Sequence, residues 1–417
     1  MTNISSFKIV YTCVMVAVIA AAYSRLNLLG FANVDDPWAL LKNPLVTNFS
    51  FNRDYLKTLA ISFNDLQYSP LNTLYFALIY KINGFDPYYY HLFSLLVHFA
   101  NTLLVLLLSQ EILKLFKIDN YQLIAYLTAL FWSISPINVE AVAWISASKV
   151  VLTTCFILLC SLNFIRIMTT NSRMAYVYCV LAYIMAFLCK EQAIVLPFML
   201  GSLLFCHKHL AKEITIKKGF YYLFTIFLVL LIVFAIITLN ANSTKKGVLV
   251  ASYPLYQRII LICYSLFFYL LSLIVPAGLH FHYPFPMMPG QALPPLYYIF
   301  PVLMIVVIVL GYKYLKKVRS NSFYFFCALA FLINIGLCLH LVPMSRPALM
   351  ADRYMYIPSI FILLALCSFV INFIYNNMPA KTQRLILALS LIYLFVLVGY
   401  ANVLVYNWTK IYLQRSI

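Results

Sequence analysis

The chain has 417 residues, of which 64% are hydrophobic and only 10% charged, and its mean hydropathy is +0.92. That composition excludes a water-soluble domain and describes a protein that crosses a membrane many times. The formal net charge of +18 comes from 29 lysines and arginines placed mostly in short loops and at span ends, where they set topology and meet lipid phosphate. With no RNP, helix-turn-helix or zinc-finger pattern beside them, they do not read as a nucleic-acid surface.

The first apolar run, 8–29, stands where a signal peptide would, but it is long enough to span and lacks a small-x-small cleavage site, so it reads as a span. Further runs follow at 88–109, 121–135, 150–168, 175–189, 191–206, 220–239, 259–275, 294–312, 323–342, 357–377 and 385–405. Lipid offers no partner to free backbone groups, so each run is expected to be helical. Short basic connections at Lys114–Lys117, Arg166–Arg173, His207–Lys218, Lys313–Arg319 and Ala380–Arg384 mark the cytoplasmic side. Alternation keeps all of them inside only if 259–275 is re-entrant or interfacial. The expectation is an all-α polytopic membrane protein with about eleven transmembrane helices, its N-terminus inside and its C-terminus outside. It forms one domain over 1–417, with large outer loops at 30–87 and 240–293. Within the first loop, Ser69 to Ile82 is apolar on one face and reads as an amphipathic helix on the outer surface.

Acidic residues number eleven, and four of them (Asp35, Asp36, Asp54 and Asp65) lie between Phe31 and Leu71. Asp86, Glu140, Glu191 and Asp352 fall on the same outer side, against Glu111, Asp119 and Glu213 inside. Asp35 and Asp36 have two readings. They are a solvated pair, with Asp36 helping to start a helix at Pro37, or one of them is a catalytic base at the membrane surface. The segment Ser135 to Lys149 breaks a helix at Pro136 and presents Glu140, Trp144 and Lys149. A carboxylate in so apolar a chain is costly, and Glu140 is either paired or functional. Lys190 and Glu191 form a charged turn between two runs, either its polar cap or part of a site. The segment Met344 to Pro358 carries Arg346, Asp352, Arg353 and Tyr354. Its guanidinium groups suit phosphate through their planar fork, or snorkel to lipid headgroups.

His91 and His98 are seven residues apart on one helix and share a face two turns apart, which suits polar packing better than joint metal binding. His91 is also a candidate for the site at the outer end. Metal binding at His280 and His282 is not expected, and the ten scattered cysteines, with no CxxC, read as small buried hydrophobes. Walker A, GxSxG, HExxH and Rossmann glycine patterns are lacking.

Taken in order, the acidic pair, Y-x-P-L (Tyr68, Pro70, Leu71), H-x-x-x-x-x-x-H, P-x-x-x-E-A-V-A-W-I-S, K-E-x-A-x-x-x-P and D-R-Y-x-Y-x-P resemble the transmembrane-and-TPR O-mannosyltransferase family of the GT-C glycosyltransferase superfamily. The motifs run from Phe31 to Pro358. Two departures stand out: the histidine-proline of the family's E-A-V-A-W segment is here Ser135-Pro136, and the TPR repeats that usually follow the membrane part do not follow here.

The resemblance implies a GT-C fold. It also implies transfer of a sugar, mannose in the family, from a polyprenyl-phosphate donor to a hydroxyl acceptor (protein, glycan or lipid) on the outer face. By the same carry-over, Asp35 or Asp36 is the base and Arg353, Lys149 and Arg346 meet the donor phosphate. Glu140, Lys190, Glu191, Asp352, His91, Tyr68 and Tyr354 line or support the pocket. The carboxylates would serve with or without a divalent metal. The expected setting is a bacterial inner membrane with the site facing the periplasm, or an endoplasmic reticulum membrane with it facing the lumen. The rival readings are a transporter or flippase of lipid-linked sugars, which would place charges at the bilayer midplane, and a non-catalytic membrane scaffold.

Overall fold

The computed structural model describes residues 2–63, 67–210, 218–242, 253–280, 282–316, 321–340 and 348–413. In chain order the α-helices are α1 (Thr2–Ala22), α2 (Pro44–Thr47), α3 (Arg53–Ile61), α4 (Pro70–Asn83), α5 (Pro87–Leu115), α6 (Tyr121–Ile134), α7 (Val139–Ala143) and α8 (Ser148–Thr170). They continue as α9 (Arg173–Cys189), α10 (Leu196–Phe205), α11 (Lys218–Asn242), α12 (Leu255–Ser272), α13 (Ile299–Leu315), α14 (Asn321–Gly336), α15 (Pro358–Asn377) and α16 (Ala380–Leu413). Among the described residues, eight helical segments are long and apolar enough to cross a membrane, or nine if α6 and α7 form one bent span. The chain is a multi-pass, all-α membrane protein.

Local chemistry sets the helix ends. Proline at the first position starts α2, α4, α5 and α15, where its missing N–H would be unpaired in any case. The Asp86 carboxylate caps α5 by accepting from the Tyr88 N–H at 3.0 Å. Helix α4 forms where an amphipathic helix is expected. It stops at Gly84, whose φ of +62° suits a residue without a Cβ.

The centre is α5, α6, α8, α9 and α15, with α8 and α9 in the most extensive contact. Small residues let those two backbones approach, and the Cys160 and Cys179 sulfurs lie 3.4 Å apart. At the periphery, α13 buries none of its side chains, as a lipid-facing helix should. One run differs in form from a plain span. The run 191–206 is split into a 3₁₀ turn, Glu191–Val195, and the short α10, because Pro197 restarts the helix. The run 259–275, expected to be re-entrant or interfacial, falls largely in one helix, α12, that is long and apolar enough to span.

One feature positions the site. Pro136 bends the chain by 54° between α6 and the segment Pro136–Ala143, and two 3₁₀ turns flank α7 before α8 resumes. This polar step meets the 3₁₀ turn Asp352–Met355 ahead of α15. Around them stand the loop after α1 and the turn after α9.

Candidate active site

The acidic loop is anchored by Asp36. Its carboxylate accepts the Ala32 N–H at 2.6 Å on one oxygen, and the Ser146 N–H at 3.1 Å together with the Ser146 hydroxyl on the other. Asp36 is fully buried, and burial pushes its carboxyl up to about 6, against the three hydrogen bonds and with a push from Asp35. The reading of a solvated pair, with Asp36 helping to start a helix at Pro37, is therefore corrected. No side-chain cap forms there, because the carboxylate turns away to bridge to the 3₁₀ turn Ile145–Ala147. Asp35 beside it stays half-buried.

Across from this loop, Arg353 and Glu140 form an ion pair through Nη1 and Oε1, and the Arg353 N–H donates to Glu140 Oε2 at 2.7 Å. The guanidinium carbon lies 4.9 Å from the Trp144 ring centre and 5.1 Å from that of Tyr354. Burial opposes the guanidinium charge, but Glu140, Tyr354 and Asp35 together hold its pKa above the ordinary value. Asp352 accepts the Tyr283 O–H at 2.7 Å, and burial, reinforced by Glu140, raises its carboxyl well above the usual range.

Two lysines complete the cluster. The Lys149 ammonium donates to Gln67 Oε1 and sits 5.7 Å from the Trp38 ring. Lys190 is only 6% exposed, and its ammonium lies 6.0 Å from the Tyr354 ring with no hydrogen bond or ion pair among the described residues. Burial lowers it to about 7; Glu191 resists that shift, while Lys149 and Arg353 add to it.

Of the residues singled out from sequence, Asp35, Asp36, Glu140, Lys149, Lys190, Glu191, Asp352, Arg353 and Tyr354 lie in or beside this one cluster. Two others act from behind it. The Tyr68 O–H donates to the Ala60 carbonyl at 2.8 Å, and His91 Nε2 lies 3.2 Å from the Gly30 carbonyl, so both brace the loop. Arg346 and Asp65 lie outside the described residues. Sequence reading missed Ser146, Tyr283, Gln67 and Trp38; a serine inside the W-I-S-A-S stretch was a signal for the first, and nothing local marked the others. No group of three His, Cys, Asp or Glu side chains among the described residues is close enough to hold a metal ion.

An apolar cavity of about 680 Å³ runs between α6, α15 and α16, lined among others by Leu127, Phe131, Leu363, Tyr393 and Leu397. Ser135, at the Pro136 break, lines it too.

No protein-family model matches the chain. Protein O-mannosyl-transferase TMTC1 of Mus musculus is 32% identical over 139 residues, which is 32% of this chain and 14% of that protein. Protein O-mannosyl-transferase F38B6.6 of Caenorhabditis elegans is 26% identical over 166 residues, 38% of this chain and 23% of the relative. The chain thus spans less than a quarter of the length of either. The crystal structure of ArnT from Cupriavidus metallidurans bound to undecaprenyl phosphate covers 98% of this chain and 76% of its own, with a TM-score of 0.44 at 11% identity, a likeness too distant to locate a site. Over about a third of its length, the chain resembles the protein O-mannosyl-transferases of animals, the family that its ordered motifs point to.

Proposed function

We propose that this protein is a GT-C type glycosyltransferase that moves a sugar from a polyprenyl-phosphate donor to a hydroxyl acceptor on the outer face of the membrane. Mannose is the sugar named by its relatives. The observation that carries this reading is the meeting, at one end of the helices, of a half-buried carboxylate, Asp35, with the cations Lys149, Lys190 and Arg353. In the reaction, Asp35 takes the proton of the acceptor hydroxyl while the hydroxyl oxygen bonds to the sugar's anomeric carbon. The bond from that carbon to the phosphate oxygen breaks, and the electron pair leaves with the phosphate. Arg353 and Lys190 hold the charge that develops there.

Asp35 is preferred to Asp36 as the base because three donors occupy the Asp36 oxygens and fix it as a brace. The apolar cavity that reaches Ser135 suits a prenyl tail, which would otherwise stay in lipid. Charges gathered at helix ends, away from mid-helix positions, favour transfer over carriage across the bilayer.

Purified protein in lipid nanodiscs, given radiolabelled polyprenyl-phosphate mannose and hydroxyl-bearing peptide, glycan or lipid acceptors, should yield labelled product. Movement of intact donor between leaflets without any product would instead establish the flippase reading.

A further inference from the structure

The break at Pro136 leaves carbonyls without their usual helical partners, because proline has no N–H and the chain turns away. Two side chains fill the gap: Asn138 Nδ2 donates to the Trp132 carbonyl at 2.8 Å, and His98 Nε2 sits 2.9 Å from the Ser133 carbonyl. A carbonyl only accepts, so Nε2 carries the proton of a neutral His98 and Nδ1 is left as an acceptor. The Tyr356 O–H donates to that Nδ1 at 2.6 Å, and Asn101 Nδ2 donates to the Tyr356 oxygen at 3.4 Å. Trp132 Nε1 holds the Tyr356 backbone carbonyl at 2.9 Å. His98 and Tyr356 are both fully buried.

The consequence lies on either side of this network. Glu140 is seven residues beyond the Ser133 carbonyl, on the far side of the break. Arg353 is three residues before Tyr356, whose N–H closes on the Arg353 carbonyl at 3.4 Å. One imidazole therefore ties the end of α6, from which the chain passes through the break to Glu140, to the residue that closes the turn carrying Arg353. Seven residues earlier on α5, about 10 Å along the axis, His91 meets Gly30 at the root of the Asp35 loop.

We propose that His98 is a positioning residue for the Glu140–Arg353 pair, fixing the guanidinium for a polyprenyl phosphate through Tyr356 on one side and Ser133 on the other. This rests on the glycosyltransferase reading, because it concerns how that site holds its donor.

The test is binding of undecaprenyl phosphate to the purified full chain, read as Kd, for His98→Phe, His98→Gln and Tyr356→Phe, each alone and with Arg353→Ala. His98→Phe and Tyr356→Phe are expected to weaken binding by about tenfold or more, since small misplacements of a clamp are costly. Neither should weaken it further once Arg353 is alanine, because the effect passes through that side chain. His98→Gln, which still offers a donor and an acceptor, should recover part of the loss. Wild-type affinity in both single variants would overturn the inference, and so would losses that add fully to that of Arg353→Ala, the mark of a general structural role. If His98→Phe does not fold, Tyr356→Phe, which removes one oxygen atom, decides the matter. Failure of the unaltered protein to bind undecaprenyl phosphate would instead bring down the transferase reading itself.

Discussion

The acidic loop after α1 and the turn before α15 face one another, and they hold their charges by different means. Asp36 is buried with hydrogen-bond donors from neutral groups and no ion pair among the described residues, whereas Glu140 is buried against Arg353. Burial outweighs what the three neutral donors return, so Asp36 is raised to about 6, and its value to the molecule is geometric. An ion pair keeps the guanidinium charged and stacked between Trp144 and Tyr354. One wall is thus a scaffold that presents Asp35; the other is a fixed cation that still has donors to offer an anion.

The sharpest way to break this contrast is Arg353→Ala. It leaves Glu140 buried without its partner, which should cost about 3–5 kcal/mol of stability, and it should reduce transfer from a polyprenyl-phosphate donor by about a hundredfold. Thermal unfolding and initial rates measure the two effects. Adding Glu140→Gln should restore much of the stability and none of the donor use, while recovery of both would deny Arg353 its phosphate role.

Ser146→Ala probes the other wall. Removing one donor to Asp36 should cost about 1–3 kcal/mol and leave the Kd for undecaprenyl phosphate unchanged. A large loss of donor affinity with normal stability would place Asp36 among the groups that touch the donor.

Lys190 gives a smaller, pH-dependent effect. Its pKa falls from the ordinary 10.5 to about 7 in the folded chain, so between those values the unfolded chain binds the extra proton and stability rises with pH. Phosphate binding needs the ammonium, so affinity should run the other way, falling above pH 7 by up to about tenfold per unit. Glu191, Lys149, Arg353 and Cys338 are the titratable groups that act on it. Titrating the Kd of undecaprenyl phosphate from pH 6 to 9 in the native chain and in Lys190→Met checks this. An identical slope in the variant would assign the effect to another group.

Gln67→Ala should do least. It frees Lys149 from one hydrogen bond at a partly exposed position, for a change within about 0.5–1.5 kcal/mol.

Much of this was legible in the sequence itself. Apolar runs forced helices, Pro136 signalled a break, and the lopsided placement of acids pointed to one face. What the sequence could not convey was which of two adjacent aspartates faces inward. That depends on Ser146, 110 residues away, whose hydroxyl and N–H claim Asp36. Nor could it reveal that Glu140 and Arg353, 213 residues apart, meet directly, or that Tyr283 reaches Asp352. Periodicity reports burial along one helix; pairing between distant turns is decided by tertiary packing. At 259–275, topology from charge argued for a re-entrant or interfacial segment, and the chain there forms a helix, α12, long and apolar enough to span.

The most direct trial of the account is Asp35→Asn, assayed for sugar transfer from polyprenyl-phosphate mannose alongside its Kd for undecaprenyl phosphate. Loss of a base with no loss of a phosphate ligand predicts kcat lower by about a hundredfold or more, with Kd unchanged. Full turnover in this variant would contradict it.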